Sequence, residues 1–389
     1  MAGIVIRPRA RILHGHDWVY SSEVLKVFGQ PVNGDVISLK DGRDKMLGSA
    51  IYNGSSQIVA RRFSRKRQDL DADFFTRRIT QAVAWRETRG CDRELGRIVW
   101  SEADGLPGVV ADRYGDVVVL QLLTWAMDQR KDLIVAALAE LPGVRHVVGR
   151  NDAPIRVAEG LPLETAMWHG EDPGEREVEL GGVRFLVHFL QGQKTGLYLD
   201  QAENYAHVAA WAKGRKVLDC FSNQGGFALA CARAGAAEVT AVESSAESAA
   251  RLRNNAERNG LAVTVAEEDV FFFLKEATRR HETYDLVILD PPSFTRAKSK
   301  IHDALRGYRE LHARGADVLS AHGVIASFSC SHHVSAGDFE SAAAAGLADV
   351  RRSARILQNL TQASDHPVAL HLPETGYLKG LLLEAMPGR

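Results

Sequence analysis

Three short segments of the 389-residue chain carry side chains able to do chemistry. The first is Ser327-Phe328-Ser329-Cys330-Ser331, which closes the strand-like run that begins at Gly323. A thiolate at a strand's carboxyl end, between two serines, is placed as a covalent nucleophile. The bland reading of a lone strand cysteine is a small buried hydrophobe, and it suits Cys220, inside a strand, and Cys231, inside a helix. The second segment runs from Tyr284 to Asp290 and on into Pro291-Pro292-Ser293-Phe294. The two prolines hold the chain extended past the sheet edge. Asp290 can hydrogen-bond the amino group and ring nitrogen of a nucleobase, and Phe294 can either stack on that base or support the loop. An ordinary Asp-Pro turn is the alternative. The third segment takes the strand Lys216–Phe221 into Ser222-Asn223-Gln224-Gly225-Gly226 and a helix from Phe227 to Arg233. Glycines there let a ligand approach the backbone closely, at the strand ends where open α/β sheets bind ligands.

Two further acids extend the third segment. Glu243 ends the next strand, 24 residues after Asp219, where it can accept hydrogen bonds from ribose hydroxyls. Asp269 follows the third strand and either reads an adenine's exocyclic amine or caps the helix starting at Val270. Dinucleotide-binding proteins share the strand, glycine loop, helix, strand and acid. This chain lacks G-x-G-x-x-G, so a tight nest for a pyrophosphate is missing and a ligand with one ribose and no phosphates is favoured. S-adenosylmethionine (SAM) fits that description. The four cysteines, at 91, 220, 231 and 330, form no CxxC pair and no zinc-ligand spacing, so neither a disulfide framework nor a bound metal is expected.

These segments need a scaffold, and three regions differ in pattern. Over residues 1–72, short β-like runs (Asp35–Leu39, Met46–Tyr52, Ile58–Ala60) broken by Gly, Asn and Asp predict a small barrel. Residues 73–185 open on a helix, Phe74–Arg89, pass through strands Val109–Tyr114 and Val117–Leu122, and continue into a helix over Gln129–Glu140, an α+β domain of no evident task. From 186 to 389, alternating strand and helix patterns predict a parallel sheet with helices on both faces. Net charge is −1, yet residues 1–67 hold twelve Lys or Arg against five Asp or Glu. The run Arg61-Arg62-Phe63-Ser64-Arg65-Lys66-Arg67 concentrates that excess, as either a phosphate-contacting surface or a solvated basic face. No apolar stretch has signal-peptide character or approaches the roughly 18 residues of a membrane span, so a cytoplasmic protein is expected.

Val217–Gly226, Tyr284–Phe294 and Ser327–Ser331 together resemble the bacterial 23S rRNA cytosine-carbon-5 methyltransferases that carry an N-terminal PUA domain. The resemblance spans nearly the whole chain and includes Gln193–Gln201, His366-Pro367 and Pro373–Gly380. It implies an α/β fold: a class I (Rossmann-like) seven-stranded methyltransferase domain at 186–389 whose last strand is antiparallel. Before it come a small β-barrel PUA-like domain at 1–72 and a central α+β domain at 73–185. It also implies SAM as methyl donor, ribosomal RNA (23S) or a large-subunit assembly intermediate as partner, and a homodimer as an open state of association. By resemblance Lys194, Thr195 and Gly196 border the cofactor site, joining Asp219, Phe221, Ser222, Asn223, Gly225, Glu243, Ser244, Asp269 and Asp290.

Carbon 5 of cytosine is a poor nucleophile. Addition of the Cys330 thiolate to carbon 6 makes the ring enamine-like, so that carbon 5 can attack an electrophilic methyl group, with Asp290 stabilising charge on the ring. His332 and His333 follow Cys330, as proton carriers or as exposed loop residues. Related RNA cytosine methyltransferases place a second cysteine after the strand-four prolines. Here that position is Ser293, which leaves a water, Asp290 or a histidine as the base that removes the carbon-5 proton. Pro291, Pro292 and Phe294 are expected to border the target base, and Arg296 and Lys298 to extend a phosphate track begun by Arg61, Arg62 and Arg65. Two other functions share these motifs: methylation of a guanine nitrogen, which needs no thiol, and a non-catalytic RNA-binding assembly factor.

Overall fold

The computed structural model describes residues 2–191, 195–295 and 298–386. Its contacts divide the chain into two compact units, one of Met1–Arg176, Val187–Leu199 and Ser364–Gly376, the other of Glu177–Leu186, Asp200–Ala363 and Tyr377–Arg389.

The first unit holds two sheets. Strands β1 (Gly3–Ile6), β2 (Trp18–Tyr20), β3 (Val24–Phe28), β4 (Val36–Lys40), β5 (Met46–Tyr52) and β6 (Ile58–Ser64) form a sheet of order β2-β6-β5-β4-β1-β3. Its pairs are antiparallel except β1 with β4. Alternating residues such as Ile4, Ile6, Ile37 and Leu39 fill its interior. Helix α1 (Ala72–Thr88) follows, started by Asp71, whose carboxylate accepts the Phe74 N–H at 2.8 Å. The second sheet has order β11-β10-β9-β8-β7, from β7 (Leu95–Trp100), β8 (Val109–Tyr114), β9 (Val117–Leu122), β10 (His146–Asn151) and β11 (Glu164–His169). Between its strands lie α2 (Trp125–Asp128), α3 (Lys131–Ala139) and α4 (Ile155–Ala158).

The helix expected over Gln129–Glu140 is α3, and the short α2 precedes it. α3 starts after Arg130 (φ −109°, ψ 22°), whose guanidinium donates back to the Ala126 carbonyl and across to that of Gly34. One core joins the two sheets: Ile51 and Phe63 from the first pack with Phe74, Phe75 and Ile79 of α1 and with Val109, Leu120 and Leu122 of the second. The late segment Ser364–Gly376 belongs here too. The Asp365 carboxylate accepts the Arg97 N–H at 2.7 Å, and the Trp100 indole donates to the Thr375 carbonyl at 3.0 Å.

A two-stranded sheet, β12 (Glu175–Leu180) with β13 (Val183–His188), leads into the second unit, and the boundary expected after residue 185 falls inside β13. The second unit is built on β14 (Lys216–Cys220), β15 (Glu238–Glu243), β16 (Thr264–Glu267), β17 (Tyr284–Leu289), β18 (Leu319–Ser329), β19 (Ala354–Thr361) and β20 (Lys379–Ala385). These form one seven-stranded sheet of order β16-β15-β14-β17-β18-β20-β19. Strands β14 to β18 pair in parallel, and β20 runs antiparallel to both neighbours, as expected of the class I fold. The helices are α5 (Ala202–Ala209), α6 (Gly226–Arg233), α7 (Ala246–Asn259), α8 (Val270–Arg279), α9 (Ile301–Asp317) and α10 (Ala336–Asp349). Apolar clusters lie on both faces of the sheet, one around Leu218, Val287, Ile325 and Leu383, the other around Val217, Ile288, Ala326 and Leu382. Adjacent residues of each strand alternate between the two, so both faces are buried, which explains the unbroken apolar runs of β14 and β17. The order reverses direction beside β14, so the carboxyl ends of β14 and β17 flank a topological switch point, where doubly wound sheets bind ligands.

Candidate active site

The turn after β14 is forced into an uncommon backbone shape. Phe221 (φ 63°), Asn223 (φ 49°) and Gly225 (φ 95°) all occupy the left-handed region, a local cost of about 1–3 kcal/mol for each non-glycine that clusters at functional sites. A Cβ on Gly226 would lie 2.4 Å from the Tyr205 ring, so only glycine lets α6 start there. The Glu243 carboxylate pins the turn, accepting the N–H of Asn223 at 2.9 Å and that of Ser245 at 2.8 Å. Ser245 also caps α7, leaving Ser244 exposed between strand and helix. The Ser222 hydroxyl donates to the Asp219 carbonyl at 2.6 Å.

Asp219 is buried beneath this turn. Its Oδ2 accepts the Ala228 N–H of α6 at 3.0 Å, while its Oδ1 is buried without a hydrogen-bond partner. Burial first, and the nearby Asp290 and Glu243 carboxylates after it, push the Asp219 carboxyl up to about 8, against the opposing pull of the Ala228 N–H. A buried acceptor whose lone pair meets no donor calls for one, best a cationic one. That need, with the glycine-lined turn and the absence of a phosphate nest, fits the charged methionine moiety and single ribose of SAM. Asp269 is the helix cap: its Oδ1 accepts the Phe272 N–H at 3.0 Å and it is exposed.

The thiol and the second carboxylate leave the same edge of the sheet. Leu289 of β17 lies opposite Ser327 of β18 in the parallel register, so Asp290 and Cys330 emerge from the carboxyl ends of neighbouring strands. Asp290 Oδ2 accepts from the Gln201 amide at 3.0 Å, and Gln201 in turn accepts from Asn204 at 2.6 Å. Gln201 and Asn204 are buried, which fixes the carboxylate's orientation. Beyond Asp290, Pro291 is buried and Pro292 exposed. The Ser293 and Ser331 hydroxyls meet at 3.1 Å, Tyr308 bonds Ser331 at 3.0 Å, and Ser329 donates to Tyr308 at 2.8 Å. This chain of hydroxyls locks the two strand tips together, which is the work of the serines that flank Cys330. Phe294 lies against Tyr308, ring centroids 4.7 Å apart, and so supports the loop.

Cys330 is half-buried, while Cys220 and Cys231 are buried with their thiols pushed up by desolvation, inert as expected. Lys379 pairs with Ser329 across β18 and β20, and its Nζ donates to the Ser331 carbonyl at 2.8 Å, which brings an ammonium group to the backbone beside the thiol. Among the described residues no carboxylate lies within ion-pair range of Lys379. Burial lowers its pKa, and the charge of Cys330 opposes that shift. The His332 ring stacks on Tyr377 at 5.6 Å, and burial, then Lys379 and His333, hold it below the ordinary imidazole range. His332 is therefore neutral at physiological pH and available as a proton acceptor. The sequence reading missed Gln201, Asn204, Tyr308 and Lys379 as site residues.

Several of the other expected residues belong to the first unit. Thr195 and Gly196 belong to the first unit, where the Thr195 hydroxyl donates to the buried Asp112 at 2.6 Å and Gly196 packs on Val187 and Tyr114. Asp112 is paired with Arg97 at 2.8 Å. Arg62 is buried and paired with Asp17 at 2.7 Å; Arg61 pairs with Glu102 at 2.6 Å and lies over Trp18; Arg65 is exposed. Lys194 and Arg296 lie outside the described residues, and Lys298 opens the short 3-10 helix Lys298–Lys300. Among the described residues no cluster of His, Cys, Asp or Glu could hold a metal ion, and no helix is long and apolar enough to cross a membrane.

The seven-stranded sheet with its antiparallel β20 and the cradle after β14 define a SAM-dependent methyltransferase. The profile of that family, S-adenosylmethionine-dependent methyltransferase, matches residues 136–367, and that of the PUA-like domain matches residues 7–65. The chain belongs to the SAM-dependent methyltransferase family, with an N-terminal PUA-like domain, and SAM is its cofactor. Within it, the chain groups with the proteins named Ribosomal RNA large subunit methyltransferase I: it is 37% identical over 384 residues to that of Aeromonas hydrophila and 34% identical over 382 residues to that of Escherichia coli, covering 96% of each chain in both cases. A solved structure described as a SAM-dependent methyltransferase from Streptococcus mutans shares the fold at 24% identity, with a TM-score of 0.84 over 99% of this chain and 100% of that one. A solved methyltransferase complex with SAH does so at 24% identity, with a TM-score of 0.86 over the same shares.

Proposed function

We propose that the protein transfers a methyl group from SAM to carbon 5 of a cytosine in the 23S RNA of the large ribosomal subunit, through a covalent Cys330 adduct. Relatives named for methylation of large-subunit ribosomal RNA support the substrate class. The observation that carries the chemistry is Cys330 at the tip of β18 beside Asp290 at the tip of β17. SAM supplies an electrophilic methyl on a sulfonium. Cys330 attacks carbon 6 as thiolate, and the ring's electron pair moves to nitrogen 3, which takes a proton from the acid form of the Asp290 carboxyl, held by Gln201, and returns it when the adduct breaks down. Carbon 5 then takes the methyl, loses its proton to a base, and the thiolate leaves as the ring double bond re-forms. His332, two residues after Cys330 and held neutral by burial, is the candidate base among the described residues. In the cofactor cradle, Asp219 supplies the orphaned acceptor, and Glu243, already pinned by two N–H groups, keeps lone pairs for ribose hydroxyls. The test is transfer of labelled methyl from SAM to unmodified ribosomal RNA followed by digestion to nucleosides. Label in 5-methylcytidine is expected; label in a methylated guanosine would replace this reading with the guanine-nitrogen one.

Lys379 is assigned as a positioning residue for the thiolate. Lys379→Met is expected to raise the Cys330 pKa by about one unit, so that alkylation of Cys330 by iodoacetamide near neutral pH slows about tenfold and the acid limb of the activity profile moves upward. Lys379→Arg should restore both. An alkylation profile that Lys379→Met leaves unmoved would reduce Lys379 to a structural tie between β20 and the Ser331 carbonyl.

A further inference from the structure

The first unit contains a groove of about 650 Å³ that the chemistry above does not use. One wall is α1, which presents Arg78, Gln81 and Trp85 at i, i+3 and i+7, hence along a single face. Another is the segment after β6, with Arg65 and Lys66, and a third is the loop that carries His371. The acids lining it are already neutralised inside the unit: Asp17 by Arg62 at 2.7 Å, Glu102 by Arg61 at 2.6 Å and Asp104 by Arg86 at 2.9 Å. Among the described residues Arg65, Lys66 and Arg78 have no carboxylate within ion-pair range, so the groove is left with a surplus of positive charge.

Arg78 is the telling member. Its guanidinium lies over the Phe74 ring and against Gly105, where an added Cβ would come within 3.3 Å of Cζ. Its contact with the Phe63 carbonyl is long, 3.4 Å, and its Nε is buried without a hydrogen-bond partner. A half-buried cation with a bare donor is an expense for the fold unless an anion meets it. Trp85 adds a flat apolar surface at the rim, 36% exposed. Phosphate-binding cations alternating with an exposed aromatic ring are the arrangement that takes single-stranded nucleic acid, through backbone charge and base stacking. A duplex offers no free base face to Trp85, and an acidic peptide has no use for a stacking platform.

We propose that this groove binds an unpaired stretch of RNA, a base stacking on Trp85 and the backbone phosphates meeting Arg65, Lys66 and Arg78. The inference rests on the reading that RNA is the substrate, and it names where a flanking single strand is held. The test uses the full chain and a fluorescein-labelled oligouridylate of about 12 nucleotides, which has no duplex structure, followed by fluorescence anisotropy over a salt series. Trp85→Ala should weaken binding about tenfold and Trp85→Phe should restore most of it. The double substitution of the exposed Arg65 and Lys66 by alanine, which carries little folding risk, should weaken binding and reduce the slope of log affinity against log salt by about 1.4, two single-strand phosphate contacts. SAM binding by titration calorimetry should be unchanged in all three variants. If the parent protein binds the oligonucleotide and methylates ribosomal RNA while the variants match it in affinity and salt slope, the groove assignment falls and the function stands. If the parent protein neither binds RNA nor methylates it, the functional reading falls first and the groove with it. Preference for a hairpin duplex over the single strand, or displacement of the oligonucleotide by polyglutamate at equal concentration, would overturn the assignment in favour of those partners.

Discussion

Cys330→Ala is expected to lower methyl transfer to ribosomal RNA at least about a thousandfold while SAM binding stays unchanged, because the substitution removes the bond to carbon 6 and nothing from the cofactor cradle. The separation is structural. Asp219, Glu243 and the strained turn after β14 belong to the ends of β14 and β15, whereas Cys330 belongs to the end of β18, with β17 between. Local structure should also survive, since the strand tips are tied by the Ser293, Ser331, Tyr308 and Ser329 hydroxyls rather than by the thiol. The measurement pairs single-turnover methyl transfer with calorimetric titration of SAM on the same preparation. Mass spectrometry of the parent protein mixed with RNA bearing 5-fluorocytosine adds a direct readout: fluorine cannot leave as a proton does, so a stable protein–RNA adduct at the Cys330 peptide is expected. Near-normal turnover by Cys330→Ala would sink the covalent route, and with it the assignment of carbon 5.

The parts of this site that could be read from the chain are those set by local chemistry. A glycine turn after an apolar strand, an acid closing the next strand and prolines after a third are contiguous signals, and each appears where the spacing placed it. What could not be read depends on partners far away in sequence. Arg61 and Arg62 look like phosphate contacts within a basic run, but β6 sends them into ion pairs with Glu102 and Asp17, which no local pattern announces. Lys379 becomes a neighbour of Cys330 only through the antiparallel register of β18 and β20, and Gln201 reaches Asp290 across 89 residues. The same holds for the fold. The alternation of strands and helices after residue 186 was legible, whereas the return of Ser364–Gly376 to the first unit rests on contacts such as Asp365 with Arg97, 268 residues apart. Periodicity reports which face of an element is buried; it does not report what that face meets.

Asp219 gives the pH dependence its sign. In the ligand-free protein its carboxyl, raised to about 8 chiefly by burial, keeps its proton at neutral pH, whereas in the unfolded chain the same group ionises near the ordinary carboxylate value of about 4. Between those two values the folded state holds the extra proton. The stability contributed by protonated Asp219 is therefore complete at low pH and is lost as pH rises toward about 8. A cationic donor reaching the orphaned Oδ1 favours the ionised form, so binding of SAM must expel a proton below that pH. SAM affinity is then expected to rise with pH, by up to about tenfold per unit, and to level off above about 8. Calorimetry in buffers of different ionisation enthalpy should show release of close to one proton per SAM near pH 7. Asp219→Asn keeps the size of the side chain but cannot ionise: proton release should vanish, the affinity profile should flatten, and affinity above pH 8 should fall about 10- to 100-fold, the loss of one charge-assisted hydrogen bond of about 1.5–3 kcal/mol. In the same variant the ligand-free protein should melt at a temperature less sensitive to pH than the parent, because the buried charge that penalises the parent at alkaline pH is gone. A parent protein that binds SAM with the same affinity from about pH 6 to 9, and releases no proton on doing so, would show that Oδ1 meets no cation and that Asp219 serves only to anchor the start of α6 through Ala228.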